Sequence, residues 1–461
     1  MSRLSWPAPL NNAEYRRLFI AQVIALVGTG LSTVALTLLA FDLAGGNAGV
    51  VLGTALAIKM IAYVVFAPIV GGLAHRMPRK GLLIGLDIVR ALIVLMMPFV
   101  TAVWQIYALI FLLNLFSAGF KPVFAAAIPD ILPDEKDYTR ALSYSRLAYD
   151  LDTLLSPLLA GLALLFLSFT SLFMANAIAF VISAGLILVT ALPAASASER
   201  VGNTWHQISF GIVAYMKTPR LRALLVLYMA VASASAMVIV NTVVYVRDNL
   251  GGTDSDTAMA LAAAGGGSML AALTLPRILE RMSDRSVMLG GGLYMALGLG
   301  LMSTGPSLPA LLAYWFVVGF GWSLIQTPAG RLLNRSAAPT DRSAYFAAQF
   351  SLSHACWLIG YPVAGQLGAA IGLESTGFVF CIAILAFTAL SALLWPKEDD
   401  REIEHTHQPI EHSHYHVHDA HHAHHDGAVP EGHKHPHTHE AVRHAHTFFI
   451  DDHHRHWPNR A

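Results

Sequence analysis

The chain has 461 residues and no formal net charge at pH 7, and 55% of its residues are apolar whereas only 13% are charged. A mean hydropathy of +0.55 excludes an ordinary soluble protein of this length. Nothing in the composition indicates a partner nucleic acid, and membrane lipid is the expected surrounding.

Twelve apolar stretches of membrane-spanning length, about 20 residues each, follow one another along the chain. They lie near 18–42, 48–74, 82–101, 105–128, 142–166, 169–192, 220–245, 258–280, 287–304, 308–330, 345–371 and 375–395. The pattern predicts an all-α integral membrane protein with twelve transmembrane helices in two six-helix halves. Cys356 and Cys381 lie inside spans, so no disulfide framework is expected.

A hydrophilic stretch after the sixth span divides the chain into parts. We predict a first half over 1–192, a cytoplasmic linker over 193–219, a second half over 220–396 and a disordered histidine-rich tail over 397–461. The linker contains Trp205 and Phe210 at spacings typical of a short amphipathic helix.

Lysine and arginine are concentrated in alternate loops, whereas the other loops contain only Arg247 beside acidic residues. The bias of basic residues towards the cytoplasm predicts that both termini and the tail are cytoplasmic. The expected location is the inner membrane of a bacterium.

The loop between spans two and three, residues 71–81, carries a recognisable motif. Its key positions are Gly72, His75, Arg76, Arg79 and Lys80. The loop resembles the gating signature of the major facilitator superfamily, in which Gly, an acid, Arg, Gly and a basic pair occur in this order. His75 replaces the acid and Pro78 replaces the second glycine, so an acid-based latch is not secured by this loop.

Within that superfamily, an exporter body with a histidine-rich cytoplasmic tail looks like the bacterial nickel-resistance permeases, which resemble the siderophore-exporter branch. The segments 41–43 (Phe-Asp-Leu) and 87–90 (Asp-Ile-Val-Arg) also look like that branch. The resemblance implies nickel efflux.

Span five contains two acids, Asp150 and Asp152, which differ by about 200° around a helix and cannot share one face. Asp152 follows a polar stripe that begins at Ser145, so it is a candidate cation ligand or proton carrier. Asp150 lies one turn after Arg146, which can neutralise it. The alternative is that both acids lie near the cytoplasmic mouth and pair with basic loops.

Other ionisable side chains lie in spans two, three and four. Asp87 and Arg90, at i and i+3, are expected to satisfy each other. Lys59 and Lys121 are candidates for a pair with Asp152 that an arriving cation would break.

His354 is the one histidine within the twelve spans, and it is either a satisfied core residue or a ligand. Small polar residues are candidate cavity lining or helix-packing contacts. These are Gln22, Thr29, Thr33, Ser233, Asn241, Thr242, Ser323 and Gln326.

Nineteen of the 22 histidines fall between His405 and His456. The candidate metal ligands are His405, His407, His412, His414, His416, His418, His421, His422, His424, His425, His433, His435, His437 and His439. In an extended chain alternate side chains share a side, so a His-x-His-x-His run can chelate one ion. The tail has no cysteine or methionine, which favours Ni²⁺, Co²⁺ or Zn²⁺ over Cu⁺. A solvated tail with incidental metal binding is the alternative.

The sequence contains no Gly-Lys-Ser/Thr phosphate loop and no soluble catalytic domain, so we expect a secondary transporter and not an enzyme. The leading prediction is a monomeric, proton-coupled exporter of Ni²⁺ or Co²⁺ that requires no cofactor. One alternative is an exporter of an organic molecule, such as a siderophore, drug or metal chelate, with a metal-sensing tail. Another is a membrane-anchored protein for metal storage or sensing.

Overall fold

The computed structural model describes residues 8–44, 48–193 and 203–396, together with the tail segments 402–406, 410–415, 434–439, 443–450 and residue 457. Helices account for most of this part of the chain, and the only strands among the described residues lie in the tail.

The first half consists of six long helices. They are α1 (Ala13–Ala44), α2 (Ala48–Leu73), α3 (Arg79–Met96), α4 (Val103–Ile131), α5 (Glu135–Leu164) and α6 (Phe169–Leu188). Helix α1 packs on α5 and α6, α2 packs on α4, and α3 packs on α4 and α6. Helix α5 begins sharply because the Asp134 carboxylate accepts hydrogen bonds from the backbone N–H groups of Lys136 and Asp137.

The linker contains a short helix, α7 (Thr204–Lys217). Asn203 caps its first turn, and its apolar side chains Phe210, Ala214 and Tyr215 are buried while Trp205 is exposed. Helix α7 packs on both α2 and α13, so it lies between the two halves at one end of the bundle.

The second half consists of seven helices. They are α8 (Pro219–Val244), α9 (Asp254–Leu279), α10 (Asp284–Met302), α11 (Leu308–Gln326), α12 (Ala329–Ser336), α13 (Arg342–Ile371) and α14 (Leu373–Leu394). Ten stretches of the described chain are long and apolar enough to cross a membrane. The predicted fifth and eleventh spans correspond to α5 and α13, which have 30 residues each but more polar side chains.

Close contact between α9 and α11 requires glycine. A Cβ atom on Gly319 would lie 1.8 Å from the carbonyl oxygen of Ala264, and one on Gly267 would lie 1.9 Å from that of Phe316. Small residues of this kind let helices approach in a membrane, where no hydrophobic driving force exists between them.

The loops that follow α2, α4 and α9 and precede α13 lie at the same end of the bundle as α7 and α12, and this end carries most of the loop arginines. We call it the basic end. Inter-half contacts between α2 and α13 and between α5 and α9 hold the two halves together.

The tail forms two antiparallel strand pairs in its described part. Strand β1 (Glu402–Thr406) pairs with β4 (Arg443–Thr447), and β2 (Ile410–Tyr415) pairs with β3 (Lys434–His439). The His-x-His alternation has the two-residue period of a strand, so the disorder predicted for the tail is not confirmed in these segments and stays a prediction for the rest of 397–461. The remaining metal candidates His407, His416, His418, His421, His422, His424, His425 and His433 lie outside the described residues.

Candidate functional site

A cavity of about 300 Å³ lies between the two halves. Helices α1, α4 and α5 form most of its wall, and α8, α11 and α13 complete it from the second half. The aromatic side chains that line it are Phe120, Phe124, Tyr138, Tyr149, Phe180, Tyr228 and Phe346. The cavity therefore offers ring faces and apolar edges to a ligand that is larger than an ion.

Three cationic side chains also line the cavity: Arg90, Lys121 and Arg146. None of the lining residues in the described part of the chain is an aspartate or a glutamate. Two of these cations, Arg90 and Arg146, each form an ion pair with an aspartate behind the cavity wall. The third, Lys121, donates to a tyrosine hydroxyl, so its charge is the one that would repel a divalent cation and attract an anionic group in this low-dielectric space. Sequence reasoning missed this composition, because it judged each ionisable residue on its own helix.

Arg146 joins the two halves at the cavity wall. Its guanidinium donates to the Asp150 carboxylate at 2.9 Å, so the neutralisation of Asp150 expected from the i, i+4 spacing is present. It also donates to the Ser268 hydroxyl at 2.9 Å and to the Gln326 side-chain oxygen at 3.0 Å, both in the second half. The Arg146 side chain therefore makes hydrogen bonds to both halves in this conformation.

Asp152 faces α1 and is not part of the cavity lining. Its carboxylate accepts a hydrogen bond from Ser156. A Cβ atom on Gly30 of α1 would lie 2.7 Å from the same carboxylate. Ser145, which begins the polar stripe of α5, does line the cavity and donates to the Gln22 side-chain oxygen at 3.1 Å.

Lys121 lies in an aromatic environment. Its ammonium donates to the Tyr63 hydroxyl at 3.1 Å and lies 4.9 Å from the centre of the Tyr63 ring. Lys59 lies 5.8 Å from the centre of the same ring. The hydrogen bond of Lys121 goes to Tyr63, and a pair between either lysine and Asp152 stays a prediction.

His354 belongs to the same aromatic group, which links α2 to α13. Its Nδ1 atom lies 2.6 Å from the Phe350 carbonyl oxygen, and since a carbonyl can only accept, Nδ1 carries the proton. The imidazole packs edge-on against Tyr63, with 4.8 Å between ring centres, and 5.2 Å from the Trp357 ring. These contacts favour a packed core histidine, and a ligand role for His354 stays a prediction.

No metal centre is formed in the membrane part that the structure describes. No group of three or more His, Cys, Asp or Glu side chains among the described residues is arranged to hold an ion. The acids Asp87 and Asp150 are each engaged by an arginine. The membrane part therefore gives no support to a site for a bare Ni²⁺ or Co²⁺ ion.

Asp87 and Arg90 form the expected i, i+3 ion pair in the interior of the first half. Asp87 is fully buried and also accepts from the Ser183 hydroxyl at 2.8 Å. The Arg90 guanidinium lies between the rings of Phe120 and Phe180, 4.0 and 4.4 Å from their centres. The pair is thus structural, although Arg90 also reaches the cavity wall.

Ion pairs close the basic end across the two halves. Asp130, at the end of α4, accepts from Arg79 at 2.5 Å in its own half and from Arg342 at the start of α13. Glu135 on α5 pairs with Arg331 on α12 at 2.7 Å, and Arg331 also contacts Asp284. We call these six residues the basic-end latch.

The loop with the gating signature contributes only part of this latch. Arg79 belongs to it, and Arg76 donates to the Gln207 side-chain oxygen of α7. Gly72 permits the same helix to approach, since a Cβ atom there would lie 2.6 Å from the Gln207 carbonyl oxygen. The His75 side chain lies outside the described residues, and Lys80 is half-buried. Asp130 provides the acid that the loop lacks.

The small polar residues divide between the two roles that the sequence left open. Gln22, Thr29 and Gln326 line the cavity. Asn241 instead donates to the Ala364 carbonyl oxygen at 3.1 Å, and Thr242 accepts from Trp315 at 2.7 Å, so these two join helices.

Comparison with known proteins gives relatives for the whole membrane part. An uncharacterized MFS-type transporter, YfiS, of Bacillus subtilis (strain 168) is 26% identical over 402 residues, which cover 84% of this chain and 94% of the relative. Macrolide efflux protein A of Streptococcus pyogenes is 24% identical over 154 residues, 32% of this chain and 37% of that protein.

Solved structures share the fold at low sequence identity. The human organic anion transporter MFSD10 (TETRAN) superposes with a TM-score of 0.71 at 13% identity, covering 82% of this chain and 98% of the other. The E. coli fucose:proton symporter FucP superposes with a TM-score of 0.65 at 12% identity, covering 83% and 98%. The sequence profile of the Major Facilitator Superfamily matches residues 18–246 and 224–413. The chain therefore belongs to the Major Facilitator Superfamily, as a multi-pass membrane transporter.

Proposed function

We propose that this transporter exports an amphipathic organic molecule that carries negative charge, by secondary active transport. The observation that carries the proposal is the cavity, which combines seven aromatic side chains with Lys121 and has no acidic lining residue in the described chain. Arg90 and Arg146 also line it, although each is paired with an aspartate behind the wall. A bare dication would be repelled there, whereas a carboxylate or sulfonate on an apolar body would be attracted.

The relatives are compatible with such a substrate. One relative is named for the efflux of macrolides, which are organic molecules too large for an ion site. The human structure of the same fold is described as an organic anion transporter. These similarities favour the organic alternative of the sequence analysis over Ni²⁺ or Co²⁺.

Proton exchange is the proposed source of energy, since the sequence contains no nucleotide-binding motif. Asp152 is the proposed proton carrier, because its carboxylate lies between α5 and α1 and accepts from the Ser156 hydroxyl. The other two span acids, Asp87 and Asp150, are each paired with an arginine. We further propose that the protein is a monomer that crosses a bacterial inner membrane twelve times, with both termini in the cytoplasm. The basic end is then the cytoplasmic end, and the latch is its gate.

Metal efflux remains a second candidate because of one feature of the tail. The strand register aligns His412 with His437 and His414 with His435, which places four histidine positions next to one another. Imidazoles at such positions suit Ni²⁺, Co²⁺ or Zn²⁺. A metal bound in an anionic organic chelate would satisfy both the tail and the cavity.

Ligand binding to the purified full-length protein in nanodiscs tests the proposal. We expect an amphipathic sulfonate dye to bind with at least about tenfold higher affinity than a cationic dye of equal size. Lys121→Met should abolish the preference, whereas Lys59→Met, which alters a lysine outside the cavity lining, should preserve it. A preference for the cationic dye, or equal loss in both variants, would refute the proposal.

A further inference from the structure

The chain returns to the body of the protein after its last strand. Phe448 and Ile450 are only 2% and 4% exposed and belong to the main buried cluster of the second half. The Tyr345 hydroxyl donates to the Ile450 carbonyl oxygen at 3.1 Å. The Trp457 ring meets Phe448 edge-on, with 5.1 Å between ring centres. We call Phe448, Ile450 and Trp457 the docked segment.

The docked segment lies on the helices that supply the cations of the latch. Tyr345 is one helical turn after Arg342 on α13. The Arg220 guanidinium lies 5.3 Å from the centre of the Trp457 ring and donates to the Ser336 hydroxyl at 2.8 Å, at the end of α12. Helix α12 also carries Arg331. The docked segment therefore packs near the two arginines of the second half, Arg331 and Arg342, that pair with acids of the first half.

Helix α7 connects this region to the first half. Phe210 of α7 meets Tyr345 edge-on at 6.5 Å, and a Cβ atom on Gly211 would lie 2.4 Å from the Ala344 carbonyl oxygen. At its other face α7 receives the hydrogen bond from Arg76 of the first half to Gln207. Opening the basic end must separate α7 from α2 or from α13. The docked segment shares one buried cluster with Phe210 of α7 and Tyr345 of α13, so it opposes the separation of α7 from α13.

We propose that the docked segment is an intramolecular clamp that holds the basic-end latch closed, and that divalent metal bound between the histidine strands tightens it. The clamp goes beyond the proposed substrate and does not depend on it. Its metal sensitivity rests on the proposed metal binding of the tail.

The strand register explains the direction of the metal effect. Strand β4 ends at Thr447, immediately before Phe448, and β1 begins shortly after α14. His405 on β1 aligns with His444 on β4. A metal ion that joins aligned histidines closes the tail into a loop whose end is the docked segment. Loop closure before docking lowers the entropy that docking must overcome, so metal stabilises the clamped state.

A distance measurement between spin labels on the two halves tests the clamp. Met77→Cys and Met282→Cys place labels on exposed basic-end positions of the first and second halves, with Cys356 and Cys381 replaced by alanine. The full chain in nanodiscs should show mainly the short, closed distance.

Phe448→Ala should raise the open-to-closed ratio about tenfold, because it removes a buried ring. Phe449→Ala is the matched control, since Phe449 is only partly buried. Equal distance distributions for Phe448→Ala, Phe449→Ala and the parent protein would overturn the clamp.

Cleavage of the tail after folding separates the effect of losing the docked segment from a folding defect in Phe448→Ala. A protease site that replaces 397–401 allows the tail to be removed after insertion and purification. The clamp requires that this cut raise the open population, and an unchanged distribution would overturn it.

Nickel ion is the probe for the metal effect. Ni²⁺ should lower the open population of the parent protein about tenfold. The same addition should leave the triple variant His405→Ala, His412→Ala, His414→Ala unchanged. A rise in the open population with Ni²⁺, or an equal response of the variant, would overturn the metal sensitivity while leaving the proposed substrate class untouched.

Discussion

Replacement of Asp130 by asparagine should open the basic end more often. The Asp130 carboxylate is 16% exposed and holds Arg79 of its own half and Arg342 of the other half. Arg79 lies in the same half as Asp130, so we expect their bond to persist on opening and only the bond to Arg342 to bias the equilibrium. A hydrogen bond to a charged group contributes about 1.5–3 kcal/mol, and asparagine keeps part of it. The expected net loss is therefore about 1–2 kcal/mol, a factor of roughly 5–30 in the open population.

Cysteine alkylation from the basic side measures this population. Ser145→Cys places the thiol on the cavity wall, and replacement of Cys356 and Cys381 by alanine removes the native thiols. When opening and closing are fast, the rate of reaction with a membrane-impermeant maleimide follows the open population, so Asp130→Asn should react about 5–30 times faster.

The matched control is Asp137→Asn, at the same end of the bundle. Among the described residues Asp137 forms an ion pair with Arg140 of its own helix alone, and both side chains are at least about a third exposed, so little change is expected. Equal rates for Asp130→Asn and the parent protein would refute the reasoning. An increase of the same size in Asp137→Asn would assign the effect to surface charge and also refute it.

Three further predictions concern stability and metal binding. Asp87→Asn leaves Arg90 as an uncompensated buried cation, which should destabilise the first half by about 3–5 kcal/mol and lower the melting temperature. Gly291→Ala should lower the melting temperature because its Cβ atom would lie 2.6 Å from a backbone oxygen of α11, whereas Gly290→Ala, which meets nothing within 4 Å, should be neutral. Removal of 397–461 should abolish equilibrium binding of radioactive Ni²⁺ at pH 7, and retained stoichiometric binding would assign the metal site to the membrane part.

The architecture was largely predictable because most membrane helices are visible in the sequence as continuous apolar stretches of spanning length. Two ion pairs within single helices were also predictable, because oppositely charged residues stand three or four positions apart in the sequence. Asp87 with Arg90 and Asp150 with Arg146 are three and four residues apart, and helical geometry alone brings such residues together.

The latch and the cavity were not predictable in the same way, since their members are distant in the chain. Asp130 and Arg342 are 212 residues apart, and no local pattern distinguishes Asp130 from any acid at the end of a span. The charge of the cavity depends on which arginine side chains line it, here Arg90 and Arg146, and the sequence alone does not show that. Lys121 illustrates the limit, because it donates to the Tyr63 hydroxyl of another helix, a contact that no local pattern indicates.

The tail misled the sequence analysis in one respect. Its histidine content drew attention to metal, while Phe448 and Ile450 were not recognised as apolar anchors. The available signal was the run Phe448-Phe449-Ile450 within an otherwise polar segment.

Transport by energised everted membrane vesicles tests the central claim most directly. The protein without residues 397–461 would be supplied in turn with an amphipathic sulfonate, a cation of equal size and Ni²⁺, while an indicator follows the proton gradient. The account predicts collapse of the gradient with the sulfonate and no response to Ni²⁺ or the organic cation. Collapse with Ni²⁺ and silence with the sulfonate would contradict it and establish metal export by the membrane part.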